Sequence, residues 1–258
     1  VESMTRVPMG GFNPMPNPQL MQDVYGVYMG MGETAENVAE RYQMTRESQE
    51  VFAVESHKRA AAAMAAGNFK DEIVAIDGVD TDGCIRPDTN LEGLAGLKPA
   101  FSAAGTVTAG TSSPLTDGAA ATLVCSAEYA REHNLTPLAV IKSMAINGCD
   151  PDVMGLGPIG ATRKALKRAG LEISDIDIIE INEAFASQSM ACINDLGMDV
   201  SRVNLDGGAI ALGHPLGATG ARITGKAASL LKREGKKYAL STQCIGGGQG
   251  ITTIMEAA

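Results

Sequence analysis

Alternating strand-like and helix-like segments over residues 137–258 constrain the fold of this 258-residue chain more than any other feature. Apolar runs rich in Ile, Val and Thr predict strands, and the segments between them have helical spacing that ends at Gly. In chain order the predicted strands are 137–147, 175–181, 201–205, 237–244 and 250–256, and the predicted helices are 158–170, 182–197 and 217–235. The order βαβαβαββ predicts an α/β fold in which helices cover a mixed sheet, with "IGGGQG" (245–250) as a hairpin turn.

The first part of the chain follows a different pattern. Residues 1–105 are interpreted as a loop-dominated, partly helical subdomain without an independent core. Its longest predicted helix has Thr45 as N-cap and a stop signal at Gly67, and a short strand is predicted at 72–76. Residues 106–132 predict a turn, a strand and the start of a helix, and this strand needs other strands to pair with. We therefore expect part of this domain to lie upstream of the chain.

Charge and composition exclude several classes of partner. A net charge of -9 argues against nucleic acid and against an anionic membrane surface, and no run approaches the ~18–20 apolar residues of a membrane span. The cysteines lie far apart, with no CxxC pair and no zinc pattern, which fits a reducing compartment. We expect no bound metal, no membrane span and a cytoplasmic location. Because the chain starts at Val1 without an initiator Met, an N-terminal targeting sequence is left open.

Two reactive side chains, His214 and Cys244, each stand inside a run of glycines, which lets a ligand approach the backbone closely. His214 lies between Gly213 and Pro215, where it is either a hydrogen-bond donor or general base, or a histidine bonded into a packed turn. Cys244 is either a small buried hydrophobe or a functional thiol beside glycine N–H groups that could bind an oxyanion.

Other polar residues have two interpretations as well. Asn182 and Glu183 stand where a strand becomes a helix, so they are active-site groups, an N-cap, or both. The segment 109–120 is a turn, or a set of hydroxyls and amides that contact an amide-rich ligand. The remaining histidines, His57 and His133, sit among polar residues and are predicted to be solvated.

Together these motifs resemble a known family. "NEAFA" (182–186), "GGAIALGHPLGATGAR" (207–222) and "CIGGGQG" (244–250) resemble the three C-terminal signatures of the thiolases. "MGETAENVAERY" (31–42) and "AGTSSPLTDGAA" (109–120) resemble the loop domain of that family and its return into the core. The resemblance covers essentially the whole chain, and the details are most similar to degradative 3-ketoacyl-CoA thiolases.

This resemblance implies a layered αβαβα core with a helical and irregular loop subdomain. It places the loop domain at 1–105, the end of the N-terminal thiolase domain at 106–136, and the C-terminal thiolase domain at 137–258. It also implies acetyl transfer between a 3-ketoacyl-CoA and coenzyme A in fatty-acid β-oxidation, with CoA as a substrate and no separate cofactor. Homodimers or tetramers are expected on the same basis.

The resemblance also implies roles for individual residues. His214 would activate a nucleophilic cysteine and line an oxyanion hole, and Asn182 would hold the water of that hole. Cys244 would be the acid/base at the acetyl-CoA methyl carbon, and Gly246 would offer its backbone N–H to a second oxyanion hole. Binding of substrate and CoA would involve Ser113, beside the pantetheine arm, and Ala109, Met31 and Phe185.

Two departures from the family pattern lead to further expectations. None of the five cysteines stands in the nucleophile's context, so the nucleophile is expected upstream or on another chain, and this chain alone should not turn over. Gly30 stands where short-chain biosynthetic members carry a histidine, which favours longer or bulkier acyl chains. The alternative functions are a biosynthetic acetoacetyl-CoA thiolase and a non-catalytic thiolase-like protein that binds acyl-CoA.

Overall fold

A mixed four-stranded sheet formed by the second half of the chain organises the fold. The computed structural model describes residues 1–7, 11–12 and 15–258. The strands are β1 (Glu2–Ser3), β2 (Asp117–Gly118), β3 (Ala139–Gly148), β4 (Ile178–Ile181), β5 (Tyr238–Ile245) and β6 (Gln249–Ala257). The helices are α1 (Pro18–Asp23), α2 (Met31–Arg41), α3 (Arg46–Ala66), α4 (Leu91–Ala95), α5 (Ala127–Glu132), α6 (Gly157–Ala169), α7 (Ala186–Leu196), α8 (Ala209–Leu212) and α9 (Leu216–Glu234).

The strand order in the large sheet is β3-β6-β5-β4, and a separate antiparallel pair joins β1 to β2. Strands β4 and β5 are parallel, whereas β6 runs antiparallel to both of its neighbours. The turn between β5 and β6 passes through Gly247 at φ 85° and Gly248 at φ 95°, a backbone region that glycine adopts without a steric penalty. The predicted hairpin and the α/β class are confirmed.

Helix ends follow the capping signals of the sequence. The Thr45 hydroxyl accepts a hydrogen bond from the Ser48 N–H at the start of α3, and Gly67 ends that helix at φ 77°. Pro158 lies in the first turn of α6, and Gly170 ends that helix in the left-handed conformation. These predicted boundaries are confirmed because capping depends on local hydrogen bonds and glycine conformation.

The sheet carries helices on both faces. On one face, Ile179 and Ile181 of β4 pack in a core cluster with Ile159 of α6 and Ile193 of α7. On the other face, Ile178 belongs to a second cluster whose helical members come from α9. Because side chains alternate along a strand, the neighbouring Glu180 points toward α9 as well.

Three predicted strand features differ from the structure. Residues 72–76 form no strand and contribute only an isolated bridge from Ile76 to Val79. Residues 201–205 form part of a short 3-10 helix and a single bridge to β4, and the strand predicted within 106–132 is limited to the two residues of β2. A strand needs a neighbour that completes its ladder of hydrogen bonds, and the described chain offers these segments only one or two paired positions.

The first strand of the large sheet is less buried than its apolar sequence predicts. Ala145 of β3 faces α6 in the core, but Val140, Met144 and Ile146 alternate along the opposite face and are exposed. The strand lies at the edge of the sheet, and α6 covers only one of its faces. The predicted strand is confirmed, and its apolar outer face is exposed.

The N-terminal helices pack directly on the second half of the chain. Val38 of α2 clusters with Val153 and Ala191, and Ala53 of α3 clusters with Ala186 and Ile210. The predicted loop domain also includes residues 8–10 and 13–14, which lie outside the described residues. Within the described ranges, no helix combines the length and the apolar character needed to cross a bilayer.

Candidate active site

The carboxyl ends of β4 and β5 lie side by side and bring two candidate residues to one edge of the sheet. Ile181 pairs with Thr242 in the parallel ladder, and the N–H of Asn182 donates to the Thr242 carbonyl at 2.9 Å. Cys244 follows two residues later on β5. The strand ends of a parallel pair commonly carry ligand-binding groups, because the connecting loops start there.

His214 reaches this edge from the loop that joins α8 to α9. Its Nε2 lies 3.3 Å from Asn182 Nδ2, and its Nδ1 lies 2.6 Å from the Thr219 hydroxyl. Gly213 precedes it at φ 88°, where a Cβ would clash with the side chain of Thr116. The glycine therefore allows the close approach that points the imidazole inward.

Both reactive side chains are neutral near pH 7. Burial, assisted by the nearby Arg222 guanidinium, lowers the pKa of His214 to about 4. Burial also raises the pKa of the Cys244 thiol to about 12. The imidazole can therefore accept a proton, and the thiol can donate one.

An apolar cluster surrounds the Cys244 thiol. Cys244 packs with Met154 and Ala184, and the half-buried Met31 and Phe185 complete the cluster. Phe185 also makes an edge-to-face contact with Phe101, with ring centroids 5.8 Å apart. Three of the predicted site residues, Cys244, Met31 and Phe185, thus lie in one apolar cluster. Gly246 lies beside it, since a Cβ there would stand 3.9 Å from Met31 Sδ.

The segment 109–120 contacts the same apolar cluster through its backbone. The N–H of Ser113 donates to the Ala184 carbonyl at 3.0 Å, and Ser112 forms a bridge with Phe185. Ala109 starts a short 3-10 helix in this segment and is exposed, outside the apolar cluster as the described residues define it. Ser113 is therefore brought to the site, and Ala109 lies exposed four residues earlier in the same segment.

Glu183 anchors the site, and neither it nor Asn182 is an N-cap. Helix α7 begins at Ala186 with Phe185 as its cap residue. The buried Glu183 carboxylate accepts hydrogen bonds from the Ser56 hydroxyl at 2.6 Å and from Asn204 Nδ2 at 2.7 Å. It also accepts the N–H of Ile210 at 3.2 Å, which ties the chain segment before His214 to the segment after β4 that contains Asn182. Its Oε atoms therefore link α3, β4 and α8.

One of the two remaining histidines is buried, contrary to prediction. His57 is 7% exposed, and its Nδ1 accepts the N–H of Arg86 at 3.2 Å. The loop after α3 folds over it and covers a helix face that the sequence marks as polar. His133 is exposed, as predicted.

A buried charged cluster beneath the site was missed by the sequence reasoning. Glu180 is almost fully buried against α9, where Lys226 forms ion pairs with Asp206 and Glu72. Burial raises the pKa of Glu180 to about 8, although the charges of Arg222 and Lys226 oppose the shift. The sequence did contain a signal for this cluster: Arg222 and Lys226 stand four residues apart on a predicted helix, and Glu180 stands in a predicted strand.

We predict that Glu180→Gln flattens the pH dependence of stability. The pKa of Glu180 is higher in the folded protein than its ordinary 4.5, so the folded state binds the extra proton. The contribution of Glu180 to the free energy of unfolding is therefore fully present below pH 4.5 and is lost as the pH rises toward about 8. Glutamine keeps the shape and the neutral charge of the protonated acid. Urea unfolding across this range should show a smaller decline for the variant than for the parent.

The exposed Glu92→Gln is the matched control for this experiment, and it should follow the parent curve. Comparing variant with parent removes the contributions of other titrating groups, including His214. An identical pH slope for Glu180→Gln and the parent would contradict a protonated Glu180.

Comparisons with known proteins give a consistent result. The chain matches the family model described as thiolase, N-terminal domain, over residues 1–128, and the model described as thiolase, C-terminal domain, over 135–257. It is 51% identical over 269 aligned residues to the 3-ketoacyl-CoA thiolases of Cronobacter sakazakii and Vibrio vulnificus. These alignments cover 99% of this chain and 69% of each relative.

Solved structures agree with the sequence comparisons. Human mitochondrial 3-ketoacyl-CoA thiolase in complex with CoA superposes with a TM-score of 0.83 at 43% identity. Bacillus anthracis acetyl-CoA acetyltransferase superposes with a TM-score of 0.86 at 44% identity. Each covers 88% of this chain, which in turn spans 59% and 60% of the two solved chains.

Proposed function

Because this chain belongs to the thiolase family, we propose that it contributes the acid/base and oxyanion groups for acetyl transfer between a 3-ketoacyl-CoA and coenzyme A. The observation that supports this most strongly is the pairing of neutral His214 with Asn182 at the strand edge that also carries the protonated Cys244. Thiolysis starts with a base that is free to accept a proton and an acid that is ready to give one. These two protonation states match that starting point.

In the first half-reaction, His214 Nε2 takes the proton of a nucleophilic thiol, and the thiolate attacks the 3-keto carbon. The resulting oxyanion collapses, the C2–C3 bond breaks, and the electron pair leaves on the acetyl-CoA enolate. Cys244 then protonates the enolate carbon and becomes a thiolate. Donors placed at a developing oxyanion are each worth about 10²–10³ in rate. We assign that task to His214, to a water held by Asn182, and to the backbone N–H of Gly246.

In the second half-reaction, the Cys244 thiolate takes the proton of the CoA thiol. The CoA thiolate attacks the acyl-enzyme thioester, the nucleophile leaves as a thiolate, and it recovers its proton from His214. Both catalytic side chains return to their starting protonation states. The proton balance closes with CoA as a substrate and without a separate cofactor.

We propose that the nucleophilic cysteine lies outside this chain. Of the two buried cysteines, Cys192 lies on α7 and packs in the core, where burial strongly raises its pKa. Burial also raises the pKa of Cys84 and Cys149, and Cys125 is exposed in an irregular segment. The chain spans 69% of the relatives' length, so the relatives contain residues that have no counterpart here.

The relatives favour a degradative substrate. The curated relatives above are named 3-ketoacyl-CoA thiolase, and Gly30 leaves the start of α2 without a side chain beside Met31. We propose a preference for 3-ketoacyl-CoAs longer than acetoacetyl-CoA. On the same family basis we propose a homodimer or tetramer, and the bacterial relatives support a cytoplasmic location.

The test is thiolysis of 3-ketoacyl-CoAs of increasing chain length, with acetyl-CoA and the shortened acyl-CoA measured by mass spectrometry. The 258-residue chain should produce no acetyl-CoA, whereas the parent protein that contains the upstream residues should cleave the longer substrates. Intact mass shows which form is in the assay. Binding of CoA without thiolysis by the complete protein would contradict the proposed activity, and cleavage of acetoacetyl-CoA alone would contradict the proposed chain-length preference.

A further inference from the structure

The imidazole of His214 is held on both of its nitrogens. Thr219 lies in the first turn of α9 with its side chain fully buried, and its hydroxyl oxygen is 2.6 Å from His214 Nδ1. The same hydroxyl lies 3.0 Å from the Pro215 carbonyl, four residues earlier in the chain. Threonine in a helix commonly donates to the carbonyl of this position.

The Thr219 hydroxyl has one proton, so the acceptor to which it donates that proton decides the tautomer of His214. If Thr219 donates to Pro215, its oxygen accepts from His214, and the ring proton is on Nδ1. His214 Nε2 then carries a lone pair, and it faces the NH2 group of Asn182. The reverse arrangement would place Nε2–H against that NH2 group, so that two donors would face each other. The Thr219 contact therefore favours the Nδ1–H tautomer, and the resulting Nε2 acceptor matches the NH2 group of Asn182.

We propose that Thr219 is a positioning residue that holds His214 as the Nδ1–H tautomer and leaves Nε2 as the acceptor in the site. The importance of this tautomer for catalysis rests on the proposed function, because only Nε2 can then exchange a proton with the nucleophile. The tautomer itself does not depend on turnover. In catalytic triads, a wrong histidine tautomer lowers kcat by about 10⁴, which shows the size of effect that such a residue can control.

The test is nitrogen-15 NMR of the imidazole rings in the histidine-labelled 258-residue chain near pH 7. The chain has three histidines, and the His214 signals are assigned by their loss in His214→Gln. We expect a protonated, pyrrole-type Nδ1 and an unprotonated, pyridine-type Nε2. Thr219→Ser should retain this pattern because it keeps the hydroxyl, and Thr219→Val should shift the signals toward Nε2–H.

Thr224→Val is the matched control, since Thr224 lies on the same helix as Thr219, bonds to Ser241 of β5 and has no contact with His214 among the described hydrogen bonds. It should leave the His214 signals unchanged. Thr219→Ala provides a second variant without the hydroxyl in case the valine does not fit. An Nε2–H tautomer in the parent chain, or an unchanged Nδ1–H tautomer in the folded valine or alanine variant, would overturn the proposal. Neither result would bear on whether the complete protein performs thiolysis.

Discussion

Cys244→Ala is expected to lower kcat for thiolysis by about 10²–10⁴, the range that general acid–base catalysis contributes. Alanine removes the proton that the buried thiol would give to the acetyl-CoA enolate, so collapse of the first tetrahedral intermediate stalls. KM for the 3-ketoacyl-CoA should change much less, because the neighbouring side chains of the apolar cluster remain. The assay is steady-state thiolysis by the complete protein, with CoA and 3-ketoacyl-CoA varied separately.

A second readout locates the defect. Exchange of the acetyl-CoA methyl protons with deuterated solvent, followed by proton NMR, should be lost in Cys244→Ala. Acylation of the nucleophile by an acyl-CoA, followed by intact mass, should remain detectable, because CoA can leave as a thiolate without a proton from Cys244, whereas an enolate carbon cannot exchange without an acid/base. Cys149→Ala is the matched control, because Cys149 is a half-buried thiol close to Cys244 that has no assigned proton transfer. Proton exchange that survives in Cys244→Ala would disprove the acid/base role.

Glu183→Gln is expected to lower the free energy of unfolding by about 2–4 kcal/mol, since it leaves buried donors without acceptors. Asn204 cannot turn its amide to compensate, because its Oδ1 already accepts the N–H of Ile181 and its Nδ2 donates to the Ile181 carbonyl. The other carboxylate oxygen accepts the backbone N–H of Ile210, which can only donate. The new NH2 group therefore meets another donor at either position.

Urea denaturation at neutral pH measures this effect. Glu128→Gln is the control, since its carboxylate is exposed and its ion pair with Arg131 is a surface pair, worth at most about 1 kcal/mol. If Glu183→Gln were as stable as Glu128→Gln, the carboxylate could not be the anchor that joins β4 to the segment before His214. Because that anchor also sets the distance from Asn182 to His214, the variant should reduce activity as well as stability.

The sequence by itself determined the local features of this protein. The αL ends at Gly67 and Gly170, the Thr45 cap and the glycine hairpin after Cys244 depend on contacts within a few residues, so a linear pattern predicts them. The motifs around Asn182, His214 and Cys244 also identified the family, which the comparisons confirm. The roles assigned to individual site residues remain predictions.

The tertiary structure alone decided which of these features acquire partners. Residues 72–76 and 201–205 have strand-like composition but lack a ladder to join, and β3 is a strand whose outer face is uncovered. The burial of His57 and the three donors around Glu183 depend on segments that are far apart in sequence. The position of the Thr219 hydroxyl next to His214 depends on where α9 begins. Pairing and burial are properties of neighbours in space, and the free energy of a strand or a buried polar group depends on those neighbours more than on its own sequence.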